Sequence, residues 1–593
     1  MAPYQTGALI LICALALLPY TPATLAQSGF SGATSGAPGT GPGYEALSPL
    51  QTGQIVDQVI VNISPAGLED EQALSGEIRR ALGISVGTPW NPALGARALA
   101  AVEAIPRVAK ASYGPRRFIR GSRNALVVNV HISDTATPAA TGVFQSGDPG
   151  DFPVLYRRYS SYLQAILNGG NGVFSDGNPW FDAAEVFTRG NPLVLDPALG
   201  AQTGSRASWS EAFVQLGLGG VMPLNHSSLY GFAAMTGIGV ASVGGDIFRD
   251  QNRSTFDTEQ AYAGMLYAPA NTTTRIKISA GRQNYILNEG FLVSQFGWQF
   301  NAGPRPGVYL SPRTAADATV LGYINRDDWT AQLFHINPSI DDRLRPKSKL
   351  NGLNLRKTID ERLSIDGTLL HVADSSVIYT TPDGSPGGRE GLWTAAAHLL
   401  RHAPANSDGF WLESEIAHQW NDHLPMSAYA GYATVGYIAR ESAWQPSLSY
   451  RLATFSGDDP NTETYERFDT LFSGGLNEWL QGISLAKLLT QANTKTNRLR
   501  FNVSPRESLN LTLDLYQRSA NRRNNLGGNR ALGTLSSKEL GYEVDFVIRW
   551  SVSRRLFAQG LFGVAIPQRG VKDAADNHSQ NWSTAQLQLF WTL

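Results

Sequence analysis

Apolar and polar residues alternate with a period of two over much of the C-terminal part of the chain. Residues 540–550 place Glu543 and Asp545 opposite Val544 and Phe546, and residues 509–516 alternate leucines with polar residues. A period of two predicts β-strands with one apolar and one polar face. Charged residues at regular intervals would destabilise the core of a β-sandwich, but they suit a water-filled lumen. The pattern therefore predicts an all-β transmembrane barrel, apolar outside and polar inside.

The alternation continues to the end of the chain and predicts a closing strand there. One face carries Ala585, Leu587, Leu589, Trp591 and Leu593, and the other carries Thr584, Gln586, Gln588 and Thr592. Three tryptophans near strand ends, Trp550, Trp582 and Trp591, suit the aromatic belts that barrels place at the membrane interfaces.

Composition limits the classes of function. The net charge of −1 gives no sign of nucleic-acid binding. Outside the N-terminus, no segment approaches the roughly 18 to 20 apolar residues of a transmembrane helix. The sequence contains no His-Glu-x-x-His pair and no Gly-x-Ser-x-Gly elbow. It therefore predicts neither an enzyme nor a bound metal or cofactor.

The N-terminus has the pattern of an export signal. Residues 8–18 are apolar, and Thr24, Leu25 and Ala26 provide small residues before an expected cleavage site, which predicts a signal peptide over 1–26. Cys13, the single cysteine, would be removed with it, so disulfides and cysteine ligands are excluded in the mature chain. Residues 27–52 are rich in Gly, Ser and Pro and are expected to form a flexible linker.

Residues 53–134 are expected to form a small α+β domain in the periplasm. A strand-like alternation at 59–63 is followed by two helical stripes, after 74 and after Pro92, and by strand-like runs at 108–113 and 126–132. This β-α-α-β-β order resembles a polypeptide-transport-associated (POTRA) domain, which implies docking of periplasmic export machinery. A generic α+β domain is the alternative. Residues 135–155 are expected to be a second linker.

Residues 156–593 are expected to form the barrel. Strand-like runs are separated by short connections, such as 269–272 and 325–328, and by long ones, such as 284–315 and 456–495. Outer-membrane barrels have short periplasmic turns and long external loops, so this alternation sets the topology. The count is about 18 antiparallel strands, and an even number returns both ends of the barrel to the periplasm.

Several segments between 205 and 593 resemble the alginate-export family of outer-membrane porins. They are Ile-Ser-Ala-Gly-Arg-Gln at 278–283 with Asn-Glu-Gly-Phe at 288–291, Ser-Tyr-Arg at 449–451, Phe-Ser-Gly-Asp-Asp-Pro-Asn-Thr at 455–462, Phe-Asp-Thr-Leu-Phe at 468–472, and Leu-Gly-Tyr-Glu-Val-Asp at 540–545. The most specific positions are in one loop: Gly457, Asp458, Asp459, Pro460, Phe468 and Asp469. The resemblance implies an 18-stranded barrel through which an exopolysaccharide leaves the cell. The front domain does not belong to that family's usual pattern.

Charged residues on the inward face are the candidates for lining the pore. The basic candidates are Arg275, Lys277, Arg282, Arg451, Arg498, Arg500 and Arg549, and the acidic ones are Glu413, Glu415, Glu543 and Asp545. An arginine can pair bidentately with the carboxylate of a uronate sugar, so this set fits an anionic polymer. A solvated wall with internal salt bridges is the alternative. The acidic loop at 458–469 has oxygen ligands for calcium, but an external loop or a lid over the pore fits it better.

The sequence as a whole predicts an outer-membrane porin that exports an exopolysaccharide, in contact with outer-membrane lipid. A POTRA-barrel protein translocator is the main rival. That class carries Arg-Gly-Tyr or Arg-Gly-Phe on a long loop, whereas Arg-Gly occurs here as Arg120-Gly121-Ser122, Arg189-Gly190-Asn191 and Arg569-Gly570-Val571. A diffusion porin or adhesion scaffold is a third interpretation.

Overall fold

A computed structural model describes residues 56, 58–64, 71–105, 108–113, 117–119, 122–132, 154–158 and 161–592. The last range has gaps at 192, 225–227, 249–251, 270–271, 295–306, 339–347, 382–385, 405–406, 474–478, 507 and 554. The predicted signal peptide, the linker at 27–52 and most of the linker at 135–155 lie outside the described residues.

The front part of the chain contains two helices on a small sheet. Its elements are β1 (Gln58–Ser64), α1 (Glu71–Leu82), α2 (Pro92–Glu103), β2 (Val108–Tyr113), β3 (Arg117–Ile119) and β4 (Ser122–Ile132). β4 is central: β1 pairs with it in parallel, and β2 and β3 pair with it in antiparallel fashion. The side chain of Asn91 caps α2, and Ile78 and Val102 pack with Val128 in the core. The similarity to a POTRA domain stays a prediction.

Within the described residues, eighteen antiparallel strands close into a barrel, as the sequence predicted. They are β6 (Ser161–Gly177), β7 (Arg206–Pro223), β8 (Leu229–Val243), β9 (Arg253–Tyr267), β10 (Arg275–Gln283), β11 (Ala316–Arg326), β12 (Trp329–Asn337), β13 (Ser348–Thr358), β14 (Leu363–Ser375), β17 (Leu392–Arg401), β18 (Gly409–Asn421), β19 (Ala428–Ile438), β20 (Ser447–Phe455), β21 (Thr494–Arg506), β22 (Leu509–Ala520), β23 (Glu539–Ser551), β24 (Leu556–Pro567) and β25 (Trp582–Thr592). β25 pairs with β6 and closes the ring. The short β5 (Val154–Arg158) forms a hairpin with the start of β6.

The connections alternate between short and long, which fixes the orientation. Turns such as 327–328 and 552–555 lie at one end of the barrel, with the start of β6 and the end of β25, and are therefore periplasmic. The long loops at the other end contain short elements: a 3₁₀ turn (Pro179–Asp182), α3 (Ala184–Phe187), the hairpin of β15 (Ile378–Thr380) and β16 (Pro386–Gly388), α4 (Leu485–Leu488), a second 3₁₀ turn (Arg530–Leu532) and α5 (Arg569–Ala574).

The outer wall carries an apolar band with aromatic borders. On β18, Phe410 contacts Tyr437 near the periplasmic end, with ring centroids 4.9 Å apart, and Trp420 stacks on Trp393 at the other end. Ten residues separate Phe410 from Trp420. At about 3.4 Å per residue and a tilt of about 40°, they are roughly 26 Å apart in height, close to the thickness of the apolar band of an outer-membrane barrel. Among the described residues, no helix is long and apolar enough to cross a bilayer.

The prediction that Trp582 belongs to an aromatic belt at the membrane interface was wrong. Its side chain is fully buried inside the barrel, where it contacts Trp180 of the first long loop at 5.2 Å between ring centroids. Trp582 shares its face with Thr584 and Gln586, so the period of two places it inward.

Candidate export channel

The inner wall is polar along the strands from which the barrel was predicted. On β22 and β23, Asp514, Glu543 and Asp545 point inward and are buried, whereas Val544 and Phe546 are exposed on the lipid side. The apolar and polar faces of the sequence pattern therefore correspond to the outside and the inside of the barrel.

Two of the long loops fold into the lumen and contact each other there. Phe291 of the 284–315 loop and Trp479 of the 456–493 loop are both buried, 4.8 Å apart between ring centroids. Both rings also pack against Tyr432 of the inner wall. The backbones join as well: the Phe472 carbonyl accepts a hydrogen bond from the Ser294 N–H at 3.0 Å, and the Phe472 N–H donates to the Leu292 carbonyl. The two loops thus narrow the channel as one packed unit.

Buried carboxylates of the wall hold the 456–493 loop. Glu543 accepts hydrogen bonds from the backbone N–H groups of Ser484 and Leu485, at 2.6 and 2.9 Å, where α4 begins. Asp545 accepts one from the Ile483 N–H at 3.0 Å. Unpaired N–H groups at the start of a helical turn are natural partners for an anion. These carboxylates therefore fix the loop to the wall and do not simply line the water.

The carbonyl groups of the same loop are bound by a cation. The Arg518 side chain is only 1% exposed, and its guanidinium donates to the carbonyls of Gln481, Leu489 and Thr490. One buried stretch of backbone is therefore bound from the wall at both kinds of group: two carboxylates accept from its N–H groups, and one arginine donates to its carbonyls. Without these partners, burying the backbone groups would cost free energy.

The 284–315 loop is held in the same way by carboxylates of β7 and β9. Glu211 of β7 accepts hydrogen bonds from the N–H groups of Tyr309 and Leu310, at 2.9 and 2.8 Å. Glu259 of β9 accepts two more, from residues 314 and 315, and pairs with Arg313 at 2.8 Å. Sequence reasoning missed both glutamates. Glu211 lies on the inward face of a strand-like alternation, whereas Glu259 lies at a β-bulge of β9, where the alternation is interrupted.

The loop with the most specific family resemblance belongs to this infolded unit. Asp469 is bound bidentately by Arg389 at 2.7 and 2.9 Å, and Phe468 is fully buried. A Cβ atom on Gly457 would lie 1.9 Å from Asn493 Oδ1, so the close approach requires glycine. Asp458 is buried, and Pro460 is exposed. Of the two alternatives for this loop, a solvated external loop or a lid over the pore, the burial of Asp458 and Asp469 fits the second.

The charge states in that loop follow from its contacts. Burial raises the pKa of Asp458, although its side chain accepts a hydrogen bond from the Glu466 N–H. The backbone N–H of Asn461 lowers the pKa of Asp459, which also pairs with Arg522 at 3.0 Å. No group of three or more His, Cys, Asp or Glu side chains in the described part of the chain is arranged to hold a metal ion.

Three predicted basic residues lie together on the inward faces of β20 and β21. Arg451 donates to Thr434 Oγ1 at 2.7 Å and lies 4.8 Å from the centroid of the Trp479 ring. Arg498 is its register partner on β21 and is 3% exposed. Arg500, one step nearer the periplasm, binds Asp514 through two hydrogen bonds of 2.7 and 2.8 Å.

The other four predicted basic residues lie apart from that group. Arg275 donates to carbonyls of the periplasmic turn at 269–274, and Lys277 lies 4.5 Å from the centroid of the Tyr323 ring. Arg549 is exposed toward the periplasmic end of β23. Arg282 departs from the inward alternation: it occupies a β-bulge between Gly281 and Gln283 and pairs with Asp317.

The two remaining acidic candidates, Glu413 and Glu415, lie in a buried network. His398 contacts Asp366 at 3.0 Å and Glu413 at 3.4 Å, and Tyr432 donates to Glu413 at 2.8 Å. Arg356 extends the network by pairing with Asp366 at 2.6 Å. Asp366 and His398 belong to no distinguishing motif, because their partners are on other strands.

Comparison with known families identifies the barrel. A family model described as alginate export matches residues 242–570, more than half of the chain. The chain belongs to the alginate-export family. As a member with an eighteen-stranded barrel, it is an outer-membrane exopolysaccharide export porin. The protein-translocator alternative is not favoured. No protein of curated function matches the chain.

Three solved structures that are similar to this chain have low sequence identity to it. OpdL of Pseudomonas aeruginosa is 11% identical with a TM-score of 0.44, over 73% of this chain and 98% of that one. OccAB2 of Acinetobacter baumannii is 8% identical with a TM-score of 0.43, over 72% and 98%. A Salmonella typhi OmpF complex with daunomycin is 11% identical with a TM-score of 0.36, over 73% and 98%.

Proposed function

We propose that an exopolysaccharide enters this barrel from the periplasm and leaves past the two infolded loops, and that residues 53–134 dock the periplasmic machinery that delivers it. The observation that carries the proposal is the pair of loops held inside the barrel by Glu211, Glu259 and Glu543. A fixed internal constriction suits a polymer that passes as one extended chain.

The predicted pore-lining arginines are given a secondary role in that passage. Arg451 and Arg498 lie beside the loop unit, where a passing chain would come close to the wall. Arg500 is matched by Asp514. Arg451 and Arg498 are each only 3% exposed, so their role in the passage, through their charge and not by direct contact, is part of the proposal.

The direct test is deletion of the gene. The proposal expects polymer to disappear from the medium and to accumulate in the periplasm, and the cloned gene should restore export. Unchanged polymer in the medium would refute the export function.

The docking role of the front domain is tested separately. A protein lacking residues 53–134 should still insert as a heat-modifiable barrel, because the barrel strands pair with one another and not with β1 to β4. We expect its export to fall well below that of the full chain. Full export by the shortened protein would show that the domain is not the connector.

A further inference from the structure

One third of the inner wall carries no charge below its extracellular rim. The six adjacent strands β24, β25, β6, β7, β8 and β9 contain only six charged residues: Asp176, Arg206, Glu211, Arg253, Asp257 and Glu259. All six lie in the extracellular part of their strands, and the anchors Glu211 and Glu259 are among them. From that level to the periplasmic end, these six strands carry only neutral residues. Arg157 and Arg158 belong to the short β5, which pairs with the periplasmic start of β6.

Among glycines and apolar residues such as Phe213 and Phe590, several inward positions of this arc carry hydrogen-bonded amides and hydroxyls. Gln215 donates to Thr236 Oγ1 at 2.8 Å, and that oxygen also accepts from the Gln260 N–H at 3.1 Å. Gln559 donates to Gln588 Oε1 at 3.3 Å, on the neighbouring pair of strands. Gln215, Gln260 and Gln559 are half-buried, so they lie at the surface of the lumen with the buried Thr236 and Gln588 behind them.

The other strands of the wall carry charged residues, but they form no continuous row of positive groups along which an anionic polymer could pass. Three of their arginines stand beside carboxylates: Arg356 pairs with Asp366 at 2.6 Å, Arg500 with Asp514 at 2.7 Å, and Arg451 lies 3.7 Å from Glu413. Two more, Arg275 and Arg518, bind backbone carbonyls. Glu415 adds a further buried carboxylate to that side.

From these two walls we infer that the polymer exported by this porin is a neutral or sparsely charged, hydroxyl-rich glycan and not a polyuronate. The inference rests on the proposed export function. An amide both donates and accepts hydrogen bonds, as a sugar hydroxyl does, so each half-buried glutamine matches a sugar unit in either orientation. A uronate carboxylate that leaves water beside this wall can accept neutral hydrogen bonds but gains no opposite charge to offset its lost hydration.

The test uses the purified full-length protein in planar bilayers. Linear neutral gluco-oligosaccharides and oligouronates of equal length are added on the periplasmic side, and the block of the ion current is measured. We expect the neutral oligomers to block at concentrations about tenfold lower than the oligouronates, a difference equivalent to about 1.4 kcal/mol. Stronger block by the oligouronates would overturn the inference and leave the export function intact. No block by either class would count against the export function itself.

Two variants test whether the glutamines on the inward face of these six strands cause the difference in block. The double variant Q215L/Q559L should raise the half-blocking concentration of the neutral oligomers about tenfold, the effect expected from losing two hydrogen bonds. Q517L makes the same chemical change on the lipid-facing side of β22 and is the matched control. The open-channel conductance of each variant reports whether it has folded. Equal block of the folded double variant and the control would overturn the role of the amides.

The secreted polymer gives an independent measurement. If gene deletion abolishes export and the polymer lost from the medium contains little uronate, the inference holds. If that polymer is a polyuronate, the inference is wrong although the export function stands.

Discussion

Replacing Glu543 with glutamine should loosen the infolded 456–493 loop while leaving the barrel intact. The carboxylate is 1% exposed and accepts two backbone hydrogen bonds, at 2.6 and 2.9 Å, from Ser484 and Leu485. Glutamine has nearly the same shape, but it keeps a single acceptor oxygen and turns an NH₂ group toward the second N–H donor. The approach is tight, since a Cβ on Gly482 would lie 2.2 Å from Glu543 Oε2.

The magnitude follows from the two contacts. A hydrogen bond to a charged group contributes about 1.5 to 3 kcal/mol. E543Q loses one such bond and places the glutamine NH₂ group against a backbone N–H, so we expect it to cost about 2 to 4 kcal/mol. That shifts the ratio of released to docked loop by about 30- to 700-fold. Arg518 and the buried Leu485 and Leu488 still hold the segment, so we expect a loop that fluctuates and not one that leaves the lumen.

Single-channel recording in planar bilayers measures this directly. E543Q should show a larger mean conductance and more frequent current steps than the unchanged protein. E539Q is the matched control, because Glu539 lies on the same strand and is exposed. If E543Q conducts like E539Q although both proteins are folded, the buried carboxylate does not hold the loop and the reasoning fails.

Three further predictions test other parts of the structure. G457A should make the 456–493 loop more sensitive to protease, because its Cβ would lie 1.9 Å from Asn493 Oδ1; a digestion rate equal to that of the unchanged protein would contradict the requirement for glycine. R500E should shift the ion preference of the channel toward cations, since Arg500 is paired with Asp514 at 2.7 Å, and the exchange R500D/D514R should restore it, as measured by reversal potentials. Removing residues 590–593 should prevent heat-modifiable assembly in the outer membrane, because Phe590 to Thr592 pair with Asn168 to Gly170 at the closure of the barrel; normal insertion would refute that role of β25.

The wall of this barrel could be predicted from sequence because its pattern is local. Alternate residues of one strand point to opposite sides, so Glu543 and Asp545 on one face and Val544 and Phe546 on the other already separate lumen from lipid. The strand count followed from the same pattern and from the alternation of short and long connections. Trp582 was misplaced because its position near a strand end suggested a membrane border, although its parity with Thr584 pointed inward.

The interior of the barrel could not be predicted in the same way, because its contacts are distant in sequence and involve backbone atoms. Glu211 binds N–H groups of residues 309 and 310, almost one hundred positions away. A backbone N–H exists at nearly every residue, so the position that receives a carboxylate leaves no mark in the sequence. Glu543 was therefore predicted to be a wall charge facing water, whereas the structure uses it to hold a loop.

The contact between the two infolded loops leads to a last prediction, on their coupling. E259Q should weaken the anchor of the 284–315 loop as E543Q weakens that of the 456–493 loop. In each single variant the loosened loop is still supported by its neighbour, through the Phe291–Trp479 contact at 4.8 Å and the hydrogen bonds at Phe472. The double variant removes that support from both sides. Its open fraction in single-channel records should exceed the product of the two single effects by about 2- to 140-fold, the range expected for groups in direct contact. Combining E543Q with E361Q, a change in an exposed periplasmic turn, should give a simple product. A simple product for the E259Q/E543Q pair as well would mean that the loops move independently, and the constriction would then be two separate flaps and not one packed unit.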